Sequence, residues 1–280
     1  MAKKLLQLYP QSSEKIDLKN LYLYKHGWYS ANAEQPIVTA NFLSSLDGRI
    51  AINPNEQDES SNTALPKSLT SQEDFRLFLE LHAQADCLIT HGGYMRSLSE
   101  KKLGNILQLP NDRDCEDLTN WRTLQGLAPH PAVVIASASL DFPMHPSLKD
   151  HNQQVYIATG QNADKSKVKQ WQNEGYEVLI AGKSENVEGK TLIDALQTKD
   201  YKHFYLIAGP KMLHTMVNDK QLSKIYLTHA QQLLGGNIFS TILDGNVINT
   251  PKLGLQSLFF DETSENGHGQ FFSSYECQYT

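Results

Sequence analysis

One stretch narrows the possible folds more than any other. Between Ala132 and Asn218, short apolar runs rich in β-branched and aromatic residues alternate with segments of helical spacing. The runs at 132–136 (AVVIA), 154–159, 176–181 and 203–208 (HFYLIA) place few polar residues on either side of a strand. Such strands are stable only where both faces of their sheet are covered. The segments between them, 164–174 closed by Gly175, 192–197, and 211–218 opened by Gly209-Pro210, carry helix punctuation and would supply the cover. The alternation predicts an α/β fold with a doubly wound, mostly parallel sheet and helices on both faces.

The flanks extend this pattern. Residues 37–43 (IVTANFL) predict a first strand, followed by a polar stretch at 53–61 that cannot repay its ordering entropy by burial and reads as an exposed loop. Ser71 is a plausible N-cap, with Glu73 and Asp74 in the first turn where the helix dipole favours acids. Phe75, Phe78, Leu79 and His82 then fall on one helical face, and 86–90 (DCLIT) reads as a buried strand. The long irregular segment 103–131 is expected either to serve function or to hold a small helix. Near the C-terminus, strand-like runs at 224–228, 253–260 and 270–278 lack helices between them. Asn266-Gly267 and Gly269 supply turn residues for an antiparallel hairpin. Ahead of the first strand, Leu21, Leu23 and Trp28 are the expected packing residues of an N-terminal arm too short for its own core.

Composition removes several functions. A formal net charge of −6 disfavours a nucleic-acid partner. No run approaches the ~18 apolar residues of a membrane span. The opening MAKKLLQLYPQ is broken by Gln7 and Pro10, without the ~7–15-residue apolar core of a secretory signal. The expectation is a cytoplasmic protein with no membrane partner. Its three cysteines, Cys87, Cys115 and Cys277, form no CxxC pair, and the histidines lack ligand spacing, so no metal is expected. Nucleophile-elbow, zinc-protease, Walker A and zinc-deaminase signatures are all missing.

Four short motifs stand at strand exits, where open α/β sheets bind ligands. The first runs from Asn41 through Ser44-Ser45-Leu46-Asp47-Gly48-Arg49, which equally fits an Asp-Gly turn capped by serines. The second, Thr90-His91-Gly92-Gly93-Tyr94, is either a tight turn or a backbone cradle for phosphate oxygens. The third is Ala208-Gly209-Pro210 before a helix, an ordinary helix start and also the usual seat of an anion. The fourth, Leu234-Gly235-Gly236, reads as a bulge or turn.

Taken in order, these pieces resemble the dihydrofolate-reductase-like pyrimidine reductases of riboflavin biosynthesis, the C-terminal half of a bifunctional deaminase–reductase. The resemblance runs through PIVTANFLSSLDGRIA (36–51), LTS (69–71), ADCLITHGG (85–93), LIAGP (206–210) and LLGG (233–236). It covers residues 36–280 as one reductase domain, leaves 1–35 as the arm, and does not include the zinc deaminase half. It implies NADPH as hydride donor, a small-molecule substrate, a homodimer, and reduction of a ribosylamino side chain on an aminopyrimidine to the ribitylamino form. It places Ser44 against the nicotinamide. Thr90, Gly92, Gly93, Tyr94, Gly209, Pro210, Lys211, Met212 and Leu213 fall around the cofactor. Asn41, Ser45 and His82 fall toward the substrate, and Asp47 is the acid that orients substrate or relays a proton. Positions usually charged in the family carry His82, Leu98, Asn105 and Ile207, and a cofactor-touching Thr is replaced by Tyr94. Losing two guanidiniums and a carboxylate removes charge-assisted bonds of about 1.5–3 kcal/mol each. A reductase of a different small carbonyl or imine, or an NADPH-binding relative without turnover, therefore stays open.

Overall fold

The structure is a computed structural model and describes residues 3–53, 64–243, 245–263 and 269–279. The chain opens with β1 (Lys4–Tyr9), β2 (Lys15–Asp17) and a π-helical turn at Leu21–Lys25, then reaches β3 (Ile37–Ser45) and the short β4 (Ala51–Ile52). Helix α1 (Gln72–His82) leads to β5 (Cys87–His91), α2 (Gly92–Ser99) and α3 (Glu116–Leu124). Next come β6 (Ala132–Ala136), α4 (Ser147–Asp150), β7 (Val155–Thr159), α5 (Lys165–Asn173) and β8 (Glu177–Ile180). After them follow α6 (Gly189–Gln197), β9 (His203–Leu206), α7 (Pro210–Asn218) and β10 (Leu222–Ala230). The chain finishes with β11 (Phe239–Ser240), β12 (Lys252–Asp261) and β13 (Gln270–Gln278).

Eleven strands form one sheet in the order β2-β1-β12-β13-β10-β3-β9-β5-β6-β7-β8, while β4 and β11 pair separately. Every pair from β10 to β8 is parallel, and every pair from β2 to β10 is antiparallel. Strand residues alternate strictly between two cores, as a period of two requires. Leu88, Val133, Ile135 and Tyr205 face the core that holds Leu77 and Leu81 of α1, Met95 and Leu98 of α2, and Trp171 of α5. Ile89, Val134, Phe204 and Leu206 face the core that holds Leu192 and Leu196 of α6 with Leu213 and Met216 of α7. This is the doubly wound, mostly parallel α/β sheet with helices on both faces that the alternation implied, ending in the expected antiparallel pair β12–β13.

Several local expectations change. The first strand runs two residues further, to Ser45, carried by parallel pairing with β10 as far as Ala230. The segment 103–131 does hold a small helix, as one of its two expected readings had it: α3, whose Leu118 and Trp121 are buried with Leu23 and Leu79 in a satellite core. The hairpin tip at 266–267, and all of the polar stretch 53–61 except Asn53, lie outside the described residues. The first 35 residues supply two strands and more. β1 pairs with β12, and the segment that follows β2 is tied to α1 and the residues just after it by two buried polar side chains. The Glu80 carboxylate accepts from the backbone N–H groups of Asn20 and Tyr22. The Gln84 amide oxygen accepts from Trp28 and Tyr29, and its nitrogen donates to the Tyr22 carbonyl. Leu21, Leu23 and Trp28 are buried, as their apolar character requires.

Candidate active site

The chain runs outward from β3 through β5, β6 and β7 to β8, then returns to place β9 between β3 and β5 and β10 on the far side of β3. Ligands in such sheets bind outside the carboxyl ends of the strands where the order reverses. Two cavities open at that end, with very different walls.

The first, of about 680 Å³, is lined by His91 after β5, Ser137 and Ala138 after β6, Asn186 and Val187 before α6, and Gly209 through Met212 with His214 and Thr215 on α7. Gly209 is the N-cap of α7, offers no side-chain cap, and a Cβ there would meet nothing within 4 Å. Pro210 has no N–H and the Met212 and Leu213 N–H groups bond the Gly209 carbonyl, so the first turn presents the Lys211 N–H and its positive dipole to open space beside the Lys211 side chain, a suitable seat for an anionic group. At α2 the end is capped by its own chain: the His91 Nδ1 accepts from the Tyr94 N–H at 3.3 Å. Burial, then Arg96, lowers the pKa of this imidazole. Both glycines of that turn answer to packing. A Cβ on Gly92 would sit 3.0 Å from the Phe142 ring, and one on Gly93 would sit 2.8 Å from His91 Nδ1.

The second cavity, of about 530 Å³, is lined by Asn41 and Leu43 of β3, Leu65, residues from Thr70 to Phe78 at the start of α1, and Ile106. The rings of Phe75 and Phe78 stack at 5.9 Å with 13° between their planes. Asp74 is the acid on this wall. Its Oδ1 is buried with no hydrogen-bond donor, and burial pushes its carboxyl up to about 6 against the opposing hydroxyl of Thr228. None of the described residues lining this cavity is a lysine or an arginine.

Asp47 lines neither cavity. It sits in the turn after β3 and accepts from Ser45 Oγ at 2.5 Å, Arg49 Nη1 at 2.6 Å, Gly235 N–H at 2.9 Å and Leu234 N–H at 3.2 Å. The Ser45 hydroxyl first, then the Gly235 N–H, hold its carboxyl well below the usual carboxylate range. Gly235 makes the approach possible by taking φ at +65°, the left-handed region that glycine enters without a steric penalty. The Asp47 carboxylate thus joins two of the sequence motifs, S-S-L-D-G and L-L-G-G, into one staple. An ionised acceptor this well served has no proton to pass on at neutral pH.

The other sequence-flagged residues divide. Gly209, Pro210, Lys211 and Met212 line the first cavity and Asn41 the second. Ser44 is buried at the end of β3, and Thr90 is fully buried with no partner for its hydroxyl. Leu213 packs in the α6–α7 core. The Tyr94 hydroxyl donates to the Gly104 carbonyl and accepts from the Ile106 N–H, both at 3.0 Å, fastening the segment after α2. Ser45 belongs to the Asp47 staple. His82 is fully buried near the rings of Phe78 and Tyr205, with both ring nitrogens unpartnered. Burial first, then Arg122 and His130, press its pKa down to about 3 and keep it neutral. No substrate can reach it in this conformation. Sequence reasoning missed Ser137, although the residue that ends the AVVIA run was available by the logic that found Thr90. Asn186 and Val187 carried no signal. Asp74 was read only as a helix-start acid. Among the described residues no group of three His, Cys, Asp or Glu could hold a metal ion, and no helix is long and apolar enough to cross a membrane.

Comparison with solved structures finds the same fold elsewhere. A pyrimidine reductase-like protein from Corynebacterium diphtheriae matches 92% of this chain and 98% of its own, at 20% identity and a TM-score of 0.66. Acinetobacter baumannii RibD matches 87% of this chain at 15% identity and a TM-score of 0.59, and the chain spans 58% of that protein. The Saccharomyces cerevisiae riboflavin biosynthesis reductase Rib7 matches 92% of this chain and 96% of its own, at 13% identity and a TM-score of 0.53. At these identities the likeness is one of fold. No curated protein matches the chain in sequence. A family model does match, over residues 36–262, and by it the chain belongs to the RibD C-terminal domain family.

Proposed function

We propose that this chain is an NADPH-dependent reductase of the riboflavin-pathway type, reducing a ribosylamino side chain on an aminopyrimidine. The observation that carries the reading is the first cavity, where the uncapped start of α7 and Lys211 converge with His91 and Ser137 at the reversal of strand order. Its volume and polar rim suit a dinucleotide, and the positive end of α7 beside Lys211 suits phosphate. NADPH, when bound, supplies the hydride, and the protein's part is to position the two reactants and exclude water. In this reading Gly209, Pro210, Lys211 and Met212 hold the phosphates, Ser44 lies behind the nicotinamide, and Gly92 and Gly93 shape the turn beneath it. Asn41 contacts the substrate from the second cavity. Asp47 is a positioning residue that locks the β3 exit against the Leu234–Gly235 loop. A homodimer and a cytoplasmic location belong to the same reading and rest on the resemblance; light scattering tests the first.

A second reading keeps fold and cofactor but changes the substrate to another small imine or carbonyl. The absence of any lysine or arginine among the described lining residues of the second cavity favours it. Fluorescence titration with NADPH tests both: saturable binding is expected, and none up to millimolar concentration would end the cofactor assignment. Rescue of a riboflavin auxotroph separates the two, since only a pathway reductase restores growth.

A further inference from the structure

A third cavity, of about 290 Å³, lies at the other end of the sheet, among residues at the starts of β5, β6, β7 and β9. Its wall includes Arg122 of α3, which is only 1% exposed. Arginine is almost never this deep unless its charge is paired. The Arg122 Nε donates to the Ala128 carbonyl at 2.7 Å, and Nη1 donates to the carbonyls of Ala83 at 2.8 Å and Ala85 at 2.6 Å. Its Nη2 is buried with no partner. Three neutral carbonyls orient the guanidinium without neutralising it, and a buried charge left in that state is unfavourable. Burial lowers the Arg122 pKa to about 10, so the group stays cationic at neutral pH. Asp86, also in the wall, attracts it without pairing with it and is engaged elsewhere. Its carboxylate accepts from the Lys202 N–H at 2.9 Å and the His203 N–H at 3.0 Å, and lies 3.4 Å from His203 Nδ1. His130 and His151 complete the polar wall, with ring centroids 4.8 Å apart. The His130 Nδ1 accepts from the Leu109 N–H at 3.3 Å, so the neutral ring carries its proton on Nε2 as a donor. The phenol of Tyr201, the other titratable group here, is kept neutral by burial.

We propose that this cavity binds a small tetrahedral oxyanion, a free sulfate or phosphate or the phosphoryl end of a small ester, through the charge of Arg122 and the imidazole N–H groups of His130 and His151. The volume suits such an ion with its nearest waters and is too small for a nucleotide. The ion supplies the counter-charge that the guanidinium lacks, and charge-assisted bonds to the imidazoles hold it in place. It also answers the field around His130, whose pKa burial first, then His151 and Arg122, press down to about 4. An anion among these groups reverses that field, so the bound ion and a proton on His130 favour each other by equal amounts. Through Arg122 the ion braces the carbonyls of Ala83 and Ala85 after α1 against the Ala128 loop after α3. The site stands at the amino ends of the strands and both reactant cavities at the carboxyl ends, so it does not depend on the reductase reading.

Sulfate is the main probe because its charge does not change across the working pH range, and methyl phosphate tests the ester end. The imidazole signals of the full chain, assigned with His130→Asn and His151→Asn, report on this cavity apart from any other. At constant ionic strength sulfate is expected to move both signals along one saturable curve. Its affinity should be about tenfold higher at pH 5 than at pH 7, because the bound ion raises the His130 pKa toward the ordinary imidazole value and a proton is taken up on binding. In His151→Asn, a change at an exposed residue, affinity should fall about threefold to tenfold. In Arg122→Gln, checked for folding by circular dichroism, saturable binding should be lost. If that variant does not fold, H151N and the pH dependence of the wild type decide the matter. Saturation by methyl phosphate as well as sulfate supports the site and assigns the ester end, and saturation by sulfate alone supports it and assigns the free ion. Shifts that grow linearly without saturating mean an adventitious ion only and overturn the proposal. So do signals that do not move, an affinity equal at pH 5 and 7, or one unchanged in H151N.

Discussion

Asp47, in the turn after β3, receives hydrogen bonds from Ser45, Arg49 and two backbone N–H groups, whereas Asp74, in the first turn of α1, leaves Oδ1 without a donor. Both stand at the carboxyl end of the sheet. One carboxylate is so well satisfied that its pKa falls far below normal, and the other is so poorly satisfied that burial lifts it to about 6. The first belongs to a motif that stands out in the sequence, and the second to an ordinary helix start. The contrast teaches that a conspicuous acid can be conspicuous because architecture needs it. The acid left with free valence is the better place to look for a ligand, since perturbed carboxyls with unmet bonds gather at functional sites.

The largest expected effect breaks the staple. Asp47→Ala removes four acceptor contacts at once and frees the Leu234–Gly235 loop from the β3 exit. Misplacing groups by an ångström commonly costs about 10²-fold in rate, and a loss of turnover of that order is expected. The readout that separates positioning from proton donation is the pH–rate profile. A positioning role lowers kcat evenly across pH 5–9. A profile in which one limb disappears in the variant would instead restore Asp47 as the proton relay.

The next effect runs the other way. In the unfolded chain an aspartate titrates near 3.9, and in the folded chain Asp74 titrates at about 6. The folded state therefore holds this proton more tightly. Its contribution to stability is greatest below about pH 4 and is lost as pH rises through 6. At pH 7 the ionised group costs about 2–3 kcal/mol. Asp74→Asn should raise the free energy of unfolding by about that amount at pH 7 and by nearly nothing at pH 4, measured by urea melts at both. A destabilised variant at pH 7 would mean that the Asp74 carboxylate has found a donor and that the contrast with Asp47 fails.

The same contrast explains what could be read from the chain alone. The sheet from β3 to β8 was legible because strands buried on both faces must be apolar throughout, and AVVIA or HFYLIA can satisfy little else. Gly209-Pro210 was legible because helix starts are punctuated locally. Tyr94 and His82 were misplaced for an equally physical reason. Whether a polar side chain faces a cavity or the core depends on partners distant in sequence, such as Gly104 and Ile106 for Tyr94 and Tyr205 for His82. The strands at 4–17 were missed because β1 pairs with β12, more than two hundred residues away, β2 pairs only with β1, and their own pattern is mixed. Asp74 was visible as a cap residue, but its lack of a donor is a property of packing.

A third test addresses the first cavity, the anion-friendly counterpart of the one over Asp74. Lys211→Ala removes a cationic side chain of the cavity wall and leaves the backbone of α7 in place. An exposed lysine–phosphate contact supports about 1–2 kcal/mol at low salt. NADPH affinity should therefore fall about tenfold at low ionic strength, and its salt dependence should flatten. Unchanged affinity would move the phosphate seat away from α7.

The smallest effect dissects the staple itself. Ser45→Ala deletes one hydroxyl, which donates to Asp47 Oδ1 and accepts from the Arg49 N–H at 3.0 Å. The two backbone donors from Leu234 and Gly235 and the Arg49 guanidinium remain. The fold should lose about 0.5–1.5 kcal/mol, as for one hydrogen bond. The Ser45 bond is the leading cause of the depressed Asp47 titration, so the carboxyl pKa should rise toward the normal range in this variant. Carboxyl ¹³C shifts followed through an acid titration read that change directly. A rise in pKa with turnover nearly intact would show that the loop is held by the backbone donors, with the acidity of Asp47 incidental to its work. A fall in turnover as large as that of Asp47→Ala would place the function in the Ser45–Asp47 pair itself, and the difference between the two aspartates would then be one of chemistry as well as of packing.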